Sequence, residues 1–296
     1  MLQPSTEVLH PDGRRLHALP GPMALERLLA AQLAALHSVS AAIPAIDAAA
    51  VAAADILGRG GRLAYAGAGS SGLMALADCL ELPGTFGIPP ARTPVLLAGG
   101  ASSLLHMTGA AEDDPTMGLA DLDASGIGLG DGVICVSASG GTPYTLAIAE
   151  AARARGVLVI SIANRTGAPL LAMANHAIVL DTGAELVAGS TRMGAGTAQK
   201  VALNMMSVRM AVALGHVHAG QMVNLVADNA KLRRRAAGIV ADIAIVSDST
   251  AEAALTATAG SVKAAILVAR GLTPLAADAA LNASAGQLGP PLAALS

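Results

Sequence analysis

The chain has 296 residues, 53% of them hydrophobic and only 13% charged, and its formal net charge is −3. This length allows one large α/β domain with a small appendage, and the charge gives no electrostatic basis for binding nucleic acid. Two tyrosines and one phenylalanine are the whole aromatic content, so surfaces that stack nucleic-acid bases are also missing.

Signals for membrane insertion or secretion are weak in this sequence. Gly, Asp and Pro interrupt each apolar run before it reaches membrane-spanning length, and the N-terminus lacks the basic start and apolar core of a signal peptide. Cys79 and Cys135 are far apart, which favours buried thiols over a disulfide or a metal pair. We expect a cytoplasmic protein that does not enter a membrane.

The first 57 residues are predicted to form an irregular arm followed by two helices. Prolines and a glycine keep residues 1–20 irregular. The apolar spacing then predicts a helix over 23–43, ended by Pro44, and a second helix over 45–57. The leucine stripe of the first helix is expected to be buried, either between subunits or in the core of the chain itself.

Short strands and helices alternate from there to about residue 215. We predict strands at 62–66, 94–98, 132–136, 157–163 and 177–181, and helices at 71–82, 102–111, 115–122, 143–155, 167–174 and 192–214. This alternation is typical of an α/β fold, a parallel sheet sandwiched by helices. Ligands of such sheets bind at the carboxyl ends of the strands.

The last part of the chain is predicted to be helical. The basic run 231–235 is interpreted as a solvated helix face, and the two histidines at 216 and 218 as structural. Residues 243–296 predict a small bundle of short helices, with a capping box at 249–252 and Pro274 in a first helical turn. The expected organisation is an N-terminal arm with helices (1–57), an α/β domain (58–216) and a C-terminal helical region (217–296).

A glycine- and serine-rich turn, GAGSSG at 67–72, joins the first predicted strand to the following helix. The free backbone N–H groups at such a helix start attract anions, and Ser70 and Ser71 can cap the helix or bind a phosphate oxygen. The glycine spacing also fits a dinucleotide fingerprint, but the next strand ends in GGAS and carries no acid to hold a ribose. Taken alone, the turn could also be only a turn.

A second turn of the same kind, SASGGTPY at 137–144, raises the value of the first. It also links a strand to a helix, and it supplies Ser137, Ser139 and Thr142. Two such turns in one domain favour a single phosphate held from both sides. No Gly-Lys-Ser/Thr ending is present, so a phosphosugar fits better than a nucleotide.

Two glutamates are candidates for acid–base chemistry, each with a surface position as its alternative. Glu81 comes at the predicted end of the helix after the first turn, among apolar neighbours, where its proton should be held more tightly, as a general acid requires. In the cluster at 112–115, Asp114 is expected to cap a helix that starts at Pro115. Glu112 is left without a capping role.

Several segments together are similar to the N-acetylmuramic acid 6-phosphate etherases of the sugar isomerase (SIS) domain superfamily. The segments are GRLAYAGAGSSG, LELPGTFG, LLAGG, HMTGAAEDD, SASGGTPYTLAIA, GAELVAGSTRMGAGTAQKVALNMMS and VADNAKLRRR, with GSVKAAILVARGLTPLAADAALNASAG in the C-terminal bundle. The resemblance covers about four-fifths of the chain, and its run at 189–200 is the most distinctive. Where the family carries a basic residue after the first turn, this chain has Leu73, and Gly141 replaces a basic or polar residue in the second. The N-terminal arm matches only at Thr6 and Glu7.

The resemblance implies a lyase that needs no nucleotide, metal or other cofactor, cleaves the lactyl ether of a phosphorylated amino sugar and forms a homodimer. It assigns the general acid to Glu81 and the base to Glu112. Two other functions share the fold. A phosphosugar isomerase would leave Glu81 idle, and a phosphosugar sensor, like the glucokinase regulatory protein, could lose either glutamate. Only the etherase would release lactate.

Overall fold

The computed structural model describes residues 8–295, so the match at Thr6 and Glu7 lies outside the described residues. The chain divides into two compact units. One consists of Met1–Cys79 and Ala91–Ser207, and the other of Leu80–Pro90 and Val208–Ser296. Each unit has its own buried apolar cluster.

A five-stranded parallel sheet forms the centre of the first unit, as predicted. Its strands are β1 (Leu63–Gly67), β2 (Val95–Leu97), β3 (Gly132–Val136), β4 (Leu158–Ala163) and β5 (His176–Val179). They lie side by side in the order β2-β1-β3-β4-β5. After β2 the chain returns to the other side of β1 to form β3, so the strand order reverses between β1 and β3. In open parallel sheets this switch point is where ligands bind.

Twelve α-helices are found among residues 8–295. The seven that precede residue 217 are α1 (Gly21–Gly58), α2 (Gly69–Phe86), α3 (Gly109–Glu112), α4 (Pro115–Ser125), α5 (Pro143–Ala154), α6 (Pro169–Ala172) and α7 (Gly194–Ala213). Helix α4 begins as predicted, because the Asp114 side chain accepts hydrogen bonds from the N–H groups of Thr116 and Met117.

The single helix predicted at 102–111 is wrong. A 3₁₀ turn at Gly100–Leu104 and the short α3 take its place. The hydroxyls of Ser102 and Ser103 donate to the preceding carbonyls of Gly99 and Ala98, 2.6 and 2.8 Å away. Such local bonds compete with a regular helix and favour a tight turn.

The predicted break at Pro44 is also wrong, since α1 runs unbroken through it. Proline in a helix interior removes one hydrogen bond and costs about 3 kcal/mol. Val39, Ile46 and Ile56 are buried on either side of it, and each contributes about 1.5–3 kcal/mol on burial. This apolar face offsets the lost bond.

Because Pro44 and Asp47 do not end α1, the expectation that every apolar run is interrupted is wrong for this helix. By length and composition α1 could cross a membrane. Its C-terminal part instead buries a face rich in alanine and contacts β1 and β5. This is the packing of a core helix.

The buried carboxylate of Asp78 links α2 to α7 and β1 through hydrogen bonds. Asp78 is 5% exposed and accepts hydrogen bonds from Asn204 Nδ2 (2.7 Å) and Ser207 Oγ (2.9 Å) on α7 and from the hydroxyl of Tyr65 (3.3 Å) on β1. Burial raises the pKa of Asp78, and its hydrogen bonds act against that shift. Cys79 and Cys135 are free, buried thiols, as predicted.

The second unit contains the predicted bundle of short helices. They are α8 (Ala230–Ala244), α9 (Asp248–Ala257), α10 (Val262–Ala269), α11 (Pro274–Ala283) and α12 (Gly289–Ala293). Pro274 stands in the first turn of α11 as expected, but the cap of α9 is Ser247, which accepts from the N–H of Thr250, and not Ser249. Arg233, Arg234 and Arg235 are exposed, as predicted.

A hairpin of two-residue strands, β6 (Val217–His218) and β7 (Gln221–Met222), precedes this bundle and was not predicted. Its two turn residues, Ala219 and Gly220, both have positive φ, as a type I′ turn requires. Strands this short give no periodic signal. His216, just before the hairpin, is half-buried, and this burial lowers its pKa to about 4.

Candidate active site

The first serine-rich turn stands at the switch point, between the end of β1 and the start of α2. Gly69 opens the helix with a φ of +53°. Ser71 follows in the first turn of α2 and is 7% exposed, while Ser70 is half-buried. The unpaired N–H groups of this turn give it a partial positive charge.

The second turn is held together by its own hydroxyl groups. Ser137 Oγ lies 2.8 Å from Thr142 Oγ1 and 3.5 Å from Ser139 Oγ, and it accepts from the N–H of Gly140 at 3.1 Å. Ser139 Oγ accepts from the N–H of Gly141 at 3.2 Å. The three predicted hydroxyls of this turn therefore form one cluster.

The structure brings the two turns together. Ser71 Oγ accepts a hydrogen bond from the N–H of Ala138, at 3.2 Å, in the middle of the second turn. The contact follows from topology, because β1 and β3 are neighbours in the sheet and both turns leave their carboxyl ends. The prediction that both turns meet at one edge of the sheet is thus supported by a direct contact.

Three polar residues that contact these turns or their neighbours are not among the site residues predicted from the sequence. Asn164 and Gln199 are completely buried, and Gln199 Nε2 donates to Ser71 Oγ at 3.0 Å and to Asn164 Oδ1 at 2.7 Å. Arg165 Nε donates to the carbonyl of Ser139 at 2.7 Å. Gln199 stands in the distinctive GTAQK segment, but no spacing rule indicated which of its side chains turns inward.

Glu112 lies against the first turn. It ends α3 and is half-buried, and a Cβ built at Gly69 would stand only 2.5 Å from Glu112 Oε1. Burial raises the pKa of Glu112, and the neighbouring Asp113 raises it further. The carboxylate therefore binds its proton more tightly than an exposed glutamate does.

Glu81 occupies a different setting from the one expected. Helix α2 does not end there but continues through Pro83 to Phe86. The Glu81 side chain is exposed, as is its neighbour Leu80. The expected apolar surroundings of Glu81 are therefore not found in this chain.

Glu185, in the GAELVAGSTRMGAG segment, caps α7. It is 5% exposed, and its two carboxylate oxygens accept from the N–H groups of Gly194 (2.9 Å) and Ala195 (2.8 Å). This fixes the start of the helix that carries Gln199. Among residues 8–295 no group of three His, Cys, Asp or Glu side chains could hold a metal ion.

Ser139→Ala is expected to weaken the binding of a phosphosugar by roughly 10- to 100-fold, because a hydrogen bond to a charged group contributes about 1.5–3 kcal/mol. The change also removes the hydrogen bond from the N–H of Gly141, which is exposed to water, so thermal stability should fall only slightly. Isothermal titration calorimetry measures the affinity. Ser125→Ala, at the end of α4, is the matched control, and equal affinities in both variants would remove Ser139 from the phosphate site.

Known protein families match the part of the chain that contains the two serine-rich turns. Family models of the SIS domain match residues 29–164 and 119–214. A protein of Deinococcus radiodurans named N-acetylmuramic acid 6-phosphate etherase is 44% identical over 263 residues, which cover 89% of this chain and 86% of the relative. Proteins of the same name from Streptomyces avermitilis and Cronobacter sakazakii are each 41% identical, over 90% and 96% of this chain and 86% and 96% of the relative.

Solved structures were also compared. A phosphoheptose isomerase from Francisella tularensis aligns over 66% of this chain and 98% of its own, with a TM-score of 0.49 and 20% identity. The phosphoheptose isomerase of Neisseria gonorrhoeae aligns over 64% and 97%, with a TM-score of 0.45 and 19% identity. On the identity and coverage of the named relatives, the chain belongs to the N-acetylmuramic acid 6-phosphate etherase family.

Proposed function

We propose that this chain is a lyase that cleaves the D-lactyl ether of N-acetylmuramic acid 6-phosphate, giving N-acetylglucosamine 6-phosphate and D-lactate. One observation carries the proposal. The Glu112 carboxylate lies against Gly69, in the turn whose Ser71 is bonded to the second turn, so a base stands beside the candidate phosphate site. The names of the relatives point to the same reaction.

The reaction needs one base and one acid. Opening of the sugar ring gives an aldehyde at C1, which makes the proton on C2 acidic. The base removes that proton, a C2–C3 double bond forms, and the C3–oxygen bond breaks as the acid protonates the departing lactate. Water then adds across the double bond, which places a hydroxyl on C3 and returns a proton to C2. Two carboxyl groups in opposite protonation states can carry out these steps.

The phosphate is assigned to Ser70 and Ser71 of the first turn and to Ser137, Ser139 and Thr142 of the second. Hydroxyl and backbone donors that converge at a helix N-terminus are the usual surroundings of a bound phosphate. The contact between Ser71 and Ala138 supports binding of a single phosphate by both turns.

Glu112 is assigned the C2 proton. Its raised pKa makes the ionised carboxylate a stronger base than an ordinary glutamate. Glu81 is assigned the ether oxygen, on the basis of the LELPGTFG segment. Because Glu81 is exposed, the bound substrate or a second copy of the chain must exclude water from it during the reaction.

The direct test is incubation of the purified chain with N-acetylmuramic acid 6-phosphate and enzymatic detection of D-lactate. Release of stoichiometric D-lactate and N-acetylglucosamine 6-phosphate is expected, and substrate recovered unchanged would refute the proposal. An isomerase would alter the sugar without releasing lactate. A sensor would bind the sugar and alter nothing.

The pH dependence of kcat/KM should report on Glu112, since the base must be ionised. Activity is expected to fall on the acid side as pH drops through the raised pKa of Glu112, above the ordinary value of 4.5, and this group should cause no loss as pH rises. Asp113→Asn removes the like charge that helps to raise that pKa, so the acid limb should move to lower pH. Asp123→Asn, on α4, should leave the limb in place. An unmoved limb in Asp113→Asn would mean that another group sets it.

No cofactor, nucleotide or metal takes part in this scheme, and we assign the enzyme to the cytoplasm, without nucleic-acid or membrane partners. We also propose that it is a homodimer. The first half of α1 exposes Leu25, Leu29 and Leu33, at 68%, 59% and 54%, on successive turns of one face. Such a stripe is typical of a subunit interface.

Leu29→Asp is accordingly expected to shift the chain from dimer to monomer in analytical ultracentrifugation, because it places a charge in the middle of the stripe. Leu275→Asp, at a site that is 82% exposed on α11, should leave the sedimentation coefficient unchanged. A dimer that survives Leu29→Asp would place the interface elsewhere.

A further inference from the structure

A chain of buried hydrogen bonds runs from α7 to the first serine-rich turn. Asn164 Nδ2 donates to the carbonyl of Ala195 at 3.3 Å, and Gln199 Nε2 donates to Asn164 Oδ1 at 2.7 Å and to Ser71 Oγ at 3.0 Å. Asn164 and Gln199 are completely buried, and all residues of this hydrogen-bonded series belong to the first unit. No step of the proposed reaction uses either amide.

The direction of every bond in this chain follows from its first member. A backbone carbonyl can only accept, so Asn164 must turn its NH₂ group to Ala195 and its oxygen to Gln199. Gln199 must then present its NH₂ group, whose two hydrogens go to Asn164 and Ser71. The amides cannot be reversed without placing two acceptors against each other.

These bond directions determine which hydrogen bonds the Ser71 hydroxyl can still make. A serine oxygen can accept two hydrogen bonds and has one hydrogen to donate. Ser71 Oγ accepts from Gln199 Nε2 and from the N–H of Ala138, which uses both acceptor positions. No residue among 8–295 accepts the Ser71 hydrogen, so it remains available to an anion.

Stability explains only part of the glutamine, whose NH₂ group satisfies the buried oxygen of Asn164. Its carbonyl oxygen, Oε1, is buried and has no hydrogen-bond partner in the described part of the chain. Leaving a buried acceptor unsatisfied is unfavourable. An apolar side chain of the same shape would avoid this cost, but it would leave Asn164 Oδ1 without its donor.

We propose that Gln199 is a positioning residue, which occupies an acceptor site of Ser71 so that the serine hydroxyl is held as a donor toward the phosphate of the substrate. This role rests on the proposed function, because it requires a phosphate at the first turn. Gln199 does not itself touch the substrate. It acts before binding, by removing the alternative in which Ser71 donates its hydrogen into the protein.

A double-mutant cycle between Gln199 and Ser71 tests the proposal, with N-acetylglucosamine 6-phosphate as the probe in calorimetry. Gln199→Met keeps the length of the side chain but removes both donors, and it should weaken binding by roughly fivefold or more, within the range of couplings between contacting residues. In the Ser71→Ala background the same change should have almost no effect. In turnover with N-acetylmuramic acid 6-phosphate, Gln199→Met should raise KM and leave kcat nearly unchanged, as for loss of uniform binding.

One control and one replacement variant separate positioning from general damage. Ser207→Ala removes another buried hydroxyl bond on α7, to Asp78, and should lower stability without changing affinity for the probe. If Gln199→Met does not fold, Asn164→Ala breaks the same chain one bond earlier and can replace it in the cycle.

The outcomes distinguish this inference from the proposed function. Weaker binding in the Gln199 variant that disappears in the Ser71→Ala background supports the positioning role. Suppose that Ser71→Ala weakens binding as expected. If the Gln199 substitution then lowers affinity equally in both backgrounds, or in neither, the positioning role is overturned. If Ser71→Ala itself binds normally, the phosphate assignment fails, and the role of Gln199 fails with it.

Discussion

Glu112→Gln is expected to reduce both C2 hydrogen exchange and lactate release by about 10²- to 10⁴-fold, the usual contribution of a positioned base. Glutamine has nearly the same shape as glutamate, so the contact with Gly69 should survive while the charge is lost. Both signals should fall together, because removal of the C2 proton precedes cleavage of the ether bond. Incubation with N-acetylmuramic acid 6-phosphate in deuterated water gives both readings, exchange by NMR and lactate by a coupled enzyme assay.

The control for this variant is Glu150→Gln, on the exposed side of α5. It should retain full activity, with the same melting temperature as the parent chain. A Glu112→Gln enzyme that still exchanges the C2 hydrogen but releases no lactate would assign the acid role to Glu112. Full activity would remove Glu112 from the site altogether.

Glu81→Gln should separate the two signals that Glu112→Gln lowers together. The base remains, so the sugar should still exchange its C2 hydrogen for deuterium. Lactate release should fall by about 10²- to 10⁴-fold, because the ether oxygen would depart without a proton. Glu81 is exposed, so the variant is expected to fold as stably as the parent chain.

Loss of both signals in Glu81→Gln would mean that the two roles are exchanged. A chemical control is available in a substrate whose leaving group is more acidic than the alcohol of lactate. It needs less help from an acid, so the variant should recover part of its activity with that substrate. Absence of recovery would indicate that Glu81 does something other than donate a proton.

The sheet could be predicted from the sequence because each strand is a short apolar run bounded by glycines or polar residues. The two serine-rich turns were predictable for the same reason, since the end of a strand and the start of a helix are both local signals. Tertiary packing determines the continuity of α1, which local signals do not predict. Pro44 breaks a helix by its own chemistry, but buried neighbours such as Ile46 and Ala49 keep α1 continuous.

The surroundings of the site were harder to predict. Asn164 and Gln199 are 35 positions apart and meet only because the fold brings the residue after β4 next to α7. The same limit explains Glu81, whose apolar neighbours in sequence indicated burial, although the helix presents its side chain to solvent. Sequence neighbours of a helical residue point in different directions, so they do not describe its environment.

The glycines at 67, 69 and 72 have a consequence for engineering this enzyme. A Cβ at Gly67 would stand 2.9 Å from Gly72 Cα, one at Gly69 would meet Glu112 Oε1, and one at Gly72 would stand 2.6 Å from Leu97 Cδ1. A side chain is thus excluded by the backbone at Gly67, by a carboxylate at Gly69 and by a core leucine at Gly72. Packing therefore explains the glycine spacing, which resembles that of a dinucleotide fingerprint. Random libraries at these three codons would yield mostly inactive clones. Attempts to evolve a new sugar specificity should therefore diversify exposed neighbours such as Gly141 and leave the glycines fixed.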